Sequence, residues 1–526
     1  MKLKNKNWAK HWKALQDSVL SLMKTQGLRQ HLELVLDKAM SLVSCDAGSI
    51  YLYQEPNELV FYVMKNRSLD LAPTSPFSMP LDSPSLAAHA FRKGEALNIN
   101  DVYAIPKGSP FVFSHQMDIR LKYRSRSMIC LPLKNKENKI IGVLQLINRK
   151  NDDLEKWPSQ NEKLIKKMPT FSEDDQNTLE AFAGIAAAAI ENAQLYEGIE
   201  NLLKSFARAS VQAIESRDLA TRGHSERVTI LTLALVRRLH ESELEKFKDF
   251  RVSIDEFEEL RLATLLHDFG KIAVPEFILS KEEKLTPIQK LQIELRLERF
   301  KSAALKDVIA EAVNSKDPNI LNNIEFEMKK LETDFESVGN TIKTLSKPTI
   351  LDDDKSKHLE ALVQKSFKGP DGQTQKLLQP EEIIALKILR GSLNQTEKEW
   401  MQAHVTYSYY YLREIPWVAK WKNIPELAYG HHELLDGSGY PRKLKSDEIS
   451  FKVRAMTICD IFDALVANDR SYKAAVPVER ALDILRSEAK AGKLDIDCLN
   501  VFINEKVYET PEFLQLLNGF PQKRVA

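Results

Sequence analysis

The chain has 526 residues, which at roughly 150 residues per domain points to several domains and excludes a single small module. Hydrophobic residues make up 43% and charged residues 28%, excluding a mainly disordered chain. Lys plus Arg is 75 and Asp plus Glu is 74, so the net charge of +1 gives no whole-chain attraction to nucleic acid or to acidic membranes.

At the N-terminus, MKLKNKNWAKHWKALQDSVLSLM interleaves charges with apolar residues, so residues 1–29 are expected to form an amphipathic helix and not a secretory signal. Across 30–191, β-type runs such as SIYLYQ, ELVFYVM, SMICLPL and IIGVLQLI alternate with helical runs such as LELVLDKAMSLV, predicting an α/β domain. The most apolar stretch, Ala181 to Ile190, is bounded by Glu180 and Glu191 and is too short to cross a bilayer, so no membrane insertion is expected. Residues 173–215 contain no proline and keep helical apolar spacing through Leu179, Phe182, Ala186, Ala193 and Phe206, predicting a long connecting helix. Its stripe is expected to face a second chain in a parallel homodimer. Beyond it, 204–526 reads as an all-α domain, with a Lys/Glu/Leu-rich helical insertion over about 281–394. Cys45, Cys130, Cys459 and Cys498 form no CxxC pair, which argues against a thiolate zinc site or a disulfide framework and fits a reducing cytoplasm.

Five of the 11 histidines stand in suggestive company: His224 in TRGHSERV, His267 in LLHDFGK, His404 in MQAHVTY, and His431 with His432 in YGHHELLDGSGYP. Imidazole and carboxylate ligands without nearby cysteine suit a catalytic iron, manganese or zinc site. The His267-Asp268 doublet follows Leu262, Leu265 and Leu266 and precedes Gly270, read as a helix stop. Asp460 lies on a helix with almost no polar face, and a buried carboxylate requires a cation or a hydrogen-bonded partner. Asp463, three residues on, is placed to hold a ligand histidine.

HDFGK and HHELLDGSGYP, with their flanks ESRDLATRGHSERV and CDIFDALVANDRSYKAA, resemble the HD-GYP phosphodiesterases, a branch of the HD-domain phosphohydrolases. The resemblance implies two divalent transition-metal ions, iron or manganese with zinc also compatible. Their ligands would be His224, His267, Asp268 (bridging), His404, His431, His432 and Asp460. It implies Asp268 and Lys271 as catalytic residues, with Lys271, Gly439, Tyr440, Pro441, Arg470 and Lys473 contacting substrate. The implied substrate is the bacterial signalling molecule cyclic di-GMP, opened to linear pGpG. A silent cyclic-di-GMP receptor, or an enzyme for another dinucleotide such as cyclic GMP-AMP, are the alternatives. Members with three metals carry a glutamate where this chain has Ala220, so the product is expected to stop at pGpG. The separation of 137 positions from His267 to His404 exceeds the family's usual spacing, leaving the insertion and the GYP loop as surfaces for a signalling partner.

The segment 30–191 resembles a GAF sensory domain, an antiparallel sheet flanked by helices, through CDAGSIYLY, SMICLPLKNKENKIIGVLQLINRKN and FSEDDQNTLEAFAGIAAAAIENAQLY. This implies regulation by a small-molecule ligand whose identity the sequence leaves open. Asn148, Arg149, Phe171 and Asp175 fit the signature of cyclic-nucleotide-binding members, with Gln176 in place of its glutamate.

Overall fold

The structure, a computed structural model, describes residues 27–69, 77–151, 154, 156–217, 222–314, 320–467 and 475–519. Residues 1–26 of the expected N-terminal helix, Ala220, Arg470 and Lys473 lie outside the described residues. Two compact units divide the chain, Met1–Leu202 and Leu203–Ala526.

The first unit is built on strands β1 (Cys45–Gln54), β2 (Glu58–Asn66), β3 (Phe77–Pro80), β4 (Leu97–Ile99), β5 (Met128–Lys134) and β6 (Ile140–Arg149). They form one antiparallel sheet in the order β3-β2-β1-β6-β5-β4. Eight consecutive residues of β1 are buried because both faces of the sheet are covered. Leu32, Leu36, Ile50, Leu144, Leu179 and Phe182 fill one face, joining the helix Leu28–Leu42 and the start of the helix Glu173–Arg217 to the sheet. On the other face, Tyr51, Phe61, Leu86 and Met128 line a cavity of about 430 Å³. Asn148, Arg149, Phe171 and Asp175 do not line that cavity. They brace the fold instead: Arg149 Nε lies 3.4 Å from Asp175, Phe171 is in the core, and the Asn148 amide donates to Tyr123 Oη and Arg124 O, each at 3.0 Å.

The long helix runs Glu173–Arg217. The stripe expected to face a second chain is largely committed elsewhere, because Leu179, Phe182 and Ala186 are in the core of their own domain and Ala193 is buried. Of the five residues read from the sequence, Phe206 alone is exposed.

The second unit is helical. Val228, Leu235, Leu262, Leu266, Ile458 and Phe462 are part of one core shared by the helices His224–Glu241, Ile254–Leu265 and Phe451–Val466. A separate core, including Phe300, Phe335, Ile342 and Leu359, belongs to the helices Pro287–Asn314, Ile320–Ser346 and Asp353–Gln364. This part is not purely α. A hairpin of β7 (Ser366–Lys368) and β8 (Thr374–Lys376) closes over the loop GPDGQ that the sequence marks only as a break. Where this segment leaves and rejoins the main bundle, Lys281 Nζ lies 2.7 Å from both oxygens of Glu397, and Ser392 Oγ donates to Lys281 O at 2.8 Å.

Candidate metal centre

Three helices and two turns bring the seven predicted ligands together. The Ser253 capping box starts the helix Ile254–Leu265, which stops before the doublet, and the chain then passes through His267 and Asp268 into a 3₁₀ turn, Phe269–Ala273. Gly270 is therefore not the left-handed helix stop that the sequence indicates. It is absent from the positive-φ residues, and a Cβ there would lie 2.0 Å from His404 O and 2.4 Å from Ser408 N. Glycine permits backbone-to-backbone contact between the HD turn and the helix Gln395–Arg413. Ser408 seals it, donating to His267 O at 2.7 Å and accepting from Gly270 N at 2.8 Å.

Three histidines share one local device. His267, His404 and His431 each direct Nδ1 at a backbone carbonyl three residues earlier, Thr264, Met401 and Ala428, each at 2.6 Å. A carbonyl only accepts, so Nδ1 carries the hydrogen and Nε2 presents a lone pair inward. All three Nε2 atoms are buried without a hydrogen-bond partner. His404 Nε2 is 3.1 Å from Asp268 Oδ1, but this is lone pair against lone pair, an arrangement that calls for a cation between them.

His224 opens the helix His224–Glu241 after Gly223, with Nδ1 2.7 Å from Asp463 and Nε2 3.1 Å from Asp460 and 3.8 Å from Asp268. Asp463 is fixed by Arg227 at 2.7 and 3.0 Å. Asp463 thus has the supporting place the sequence predicts; its Arg227 partner was missed, although the spacing H-S-E-R puts that residue one turn from His224. His267 Nε2 is 3.5 Å from Asp268, and His432 Nδ1 is 3.6 Å from Asp460. Ligand atoms of His224, His267 and Asp268 lie within 4.8 Å of one another, as do those of His404, His431 and His432. These two trios fit a pair of metal ions.

The electrostatics follow from burial and convergence. Burial pushes the Asp268 carboxyl up, but Lys271 at 2.7 Å, His267 and His404 outweigh it and hold it well below the carboxylate range. Asp460 is likewise driven down against its burial, chiefly by the hydrogen bond from His224. Burial alone would lower the His224 imidazole, yet hydrogen bonds to Asp460 and Asp463 raise it to about 10. For His267, His431 and His432 burial dominates; all three are lowered, His432 to about 4. Two carboxylates kept ionised beside three imidazoles kept neutral are the protonation states a divalent transition metal requires.

The GYP loop covers one side. Glu433, given no role from the sequence, is buried and accepts from Arg442 N at 2.7 Å and Leu444 N at 2.9 Å, shaping the loop. A Cβ at Gly439 would meet Leu434 N at 2.4 Å and His432 O at 2.6 Å, and the Tyr440-Pro441 peptide is cis. The Tyr440 ring lies 4.8 Å from that of His432. On the opposite flank, Arg217 holds Ile272 O at 2.5 Å, Val274 O at 3.1 Å and Glu276 at 2.9 Å, while Glu215 accepts from Gly223 N at 2.9 Å. The last turn of the long helix is thereby bonded beside both Lys271 and His224.

Residues 28–190 match the GAF domain family and residues 373–498 the HD domain family. The chain joins a GAF domain to an HD domain. A stretch of 108 residues is 40% identical to 3'3'-cGAMP-specific phosphodiesterase 3 of Vibrio cholerae, covering 20% of this chain and 22% of that protein. A 128-residue stretch is 37% identical to 3'3'-cGAMP-specific phosphodiesterase 1 of the same organism, covering 24% and 28%. Another, of 81 residues, is 38% identical to its probable cyclic di-GMP phosphodiesterase, covering 15% and 18%. The chain thus matches less than a third of the length of each of these relatives. The HD match holds His404, His431, His432 and Asp460; His224, His267 and Asp268 stand before it, across the insertion. No helix among the described residues is long and apolar enough to cross a membrane.

Proposed function

We propose that this protein is a metal-dependent phosphodiesterase that opens a cyclic dinucleotide, cyclic di-GMP, to linear pGpG under control of its GAF domain. The observation that carries this reading is the trio of buried, unpartnered Nε2 lone pairs of His267, His404 and His431 facing Asp268 and Asp460. In this reading His224, His267, Asp268, His404, His431, His432 and Asp460 would hold two divalent ions. Bound there, the ions would supply Lewis acidity for in-line attack of water on phosphorus.

The chain's own residues supply the rest. Asp463 and the three backbone carbonyls hold Nδ1 of four histidines and so orient their rings; Nε2 of His267, His404 and His431 is ready to bind, whereas His224 would release its Nε2 proton as an ion binds. Lys271, drawn to Asp268, places an ammonium charge where phosphate oxygens accumulate negative charge. Gly439, Tyr440 and Pro441 form a wall of the substrate site, with Tyr440 placed to stack on a base. In the reaction one bond forms between water oxygen and phosphorus and one P–O3′ bond breaks. The proton from water ends on the departing 3′ oxygen, leaving a linear dinucleotide with a 5′-phosphate.

A second reading, hydrolysis of 3′,3′-cyclic GMP-AMP, is favoured by the names of two of the relatives. Incubating the metal-loaded chain with each dinucleotide separately, and identifying products, decides between them. Linear pGpG as the end product from cyclic di-GMP, lost together with bound metal in Asp268→Ala, is the expected result. Turnover of cyclic GMP-AMP alone would select the second reading. An inert chain with full metal content would leave a receptor role, and mononucleotide as the direct product would refute the single cleavage.

A further inference from the structure

Three lysine or arginine side chains are buried among the described residues: Lys150 at 5% exposure, Arg227 at 1% and Lys284 at 1%. A cation taken out of water is destabilising unless a carboxylate offsets it. Lys150 has Asp46 at 3.4 Å, and Arg227 has Asp463 at 2.7 Å. Lys284 lacks such a partner: no carboxylate among the described residues pairs with it, and nothing accepts a hydrogen bond from its Nζ.

Lys284 lies in the turn that enters the helix Pro287–Asn314. Its backbone is fixed, because its N–H donates at 2.8 Å to the carbonyl of Ser346, the last residue of the helix Ile320–Ser346. The one charged group that acts on its side chain is another cation, the Lys355 ammonium, itself held by Asp352 and by Ile350 O at 3.0 Å each. Burial first, and Lys355 second, lower the Lys284 amine from its ordinary value and so favour the neutral form. A neutral amine carries a lone pair and is a nucleophile. Its nitrogen is not sealed off. Arg296 Nε and Trp421 Nε1 are among the fully enclosed, unpartnered polar atoms and Lys284 Nζ is not, so the stem is enclosed while the nitrogen keeps an opening to solvent. That opening is narrow, for Lys284 lines neither the cleft of about 1040 Å³ nor that of about 530 Å³ in this segment. Such access suits a small, uncharged electrophile.

We propose that Lys284 is a carbamylation site, taking up carbon dioxide to form a carbamate that supplies the carboxylate this position lacks. The nitrogen lone pair attacks the carbon, an N–C bond forms, one C=O bonding pair moves onto oxygen, and the nitrogen gives up a proton to solvent. Amine plus carbon dioxide becomes carbamate plus H⁺, with nothing oxidised or reduced. The product sets an anion beside Lys355 where a protonated amine would set a second cation, and the resulting ion pair joins this turn to the helix Asp353–Gln364. The inference is independent of the proposed activity.

The test is to equilibrate the full chain with isotopically labelled bicarbonate, trap carbamates as ethyl esters with triethyloxonium, and locate them by peptide mass spectrometry. A labelled ester at Lys284 is the expected result, lost in Lys284→Met and strongly reduced in Lys355→Met. In buffer free of carbon dioxide, Lys284→Met should melt no lower than the wild type, because no partner is removed. Absence of the ester at Lys284 under saturating bicarbonate, an equal yield in Lys355→Met, or a lower melting temperature for Lys284→Met would overturn the inference.

Discussion

Gly270→Ala adds one methyl group at the point where the HD turn touches the helix carrying His404. Its carbon would sit 2.0 Å from His404 O, and a Cβ contact below 3.0 Å essentially does not occur, so turn and helix must separate by about 1 Å. The obstacle is backbone on both sides, so no side-chain rotation relieves it. Overpacking of this kind costs about 1–3 kcal/mol, which a folded unit of this size survives. The site should suffer more. His404 Nε2, now 3.1 Å from Asp268, moves away from the ion that the proposed reading would have the two share, and a 1 Å misplacement lowers turnover on the order of 10²-fold. Metal per chain measured by elemental analysis, turnover of cyclic di-GMP and a thermal melt would separate the effects. The expected outcome is a modest melting shift with roughly half the metal and little activity. Gly339→Ala, whose Cβ would meet only Leu297 at 3.8 Å, serves as control and should leave metal and turnover intact. Wild-type metal content and activity in Gly270→Ala would refute the view that this close approach sets the ligand geometry.

Asp463→Ala should cost about 3–5 kcal/mol, because it takes the carboxylate away from the nearly fully buried Arg227 and from His224 Nδ1 together. Denaturant unfolding measures it, and a loss below about 1 kcal/mol would show that Arg227 is held well enough by its other contacts. Glu256 is lowered from 4.5 to about 2, first by its hydrogen bond from Lys452 and then by Ser253. A depressed carboxylate stabilises the fold above its unfolded value and loses that contribution as pH falls through the folded one. Lys452→Met should therefore lose stability at neutral pH and show a shallower decline between pH 4.5 and about 2, read from melting curves across that window. Parallel curves for the variant and wild type would contradict the pairing.

The convergence of five histidines was legible because its signals are local: each sits in a short motif, and Asp460 betrays itself by apolar neighbours on its own helix. The sheet was legible from its β-type runs. What supports the site was not, because it depends on contacts between distant residues. Ser408 and Gly270 meet across 138 positions, and nothing in TYSYYY distinguishes that serine from a helix-surface residue. The glycine was visible, but a stop at a helix end and a close approach leave the same letter in a sequence. The stripe on the long helix failed for a related reason. One helix carries two apolar faces, and spacing alone does not reveal which of them its own domain has already covered. The hairpin β7–β8 has strands of three residues, too short for alternation to register.

The joint made by Lys281, Glu397 and Ser392 bears on how a helical core tolerates more than a hundred residues between two halves of one convergent side-chain cluster. Because entry and exit are tied at the neck, the bundle experiences a closed loop whose entropy grows only with the logarithm of its length. Each doubling adds about 0.6 kcal/mol, so the 116 positions from Lys281 to Glu397 disfavour folding by only about 2 kcal/mol more than a loop of roughly 15 residues. A separate core around Phe300 and Phe335 offsets that amount. The distance along the chain between Asp268 and His404 is thus nearly weightless for the centre they share, and this segment can change its length or outer surface while the ligands stay where they are.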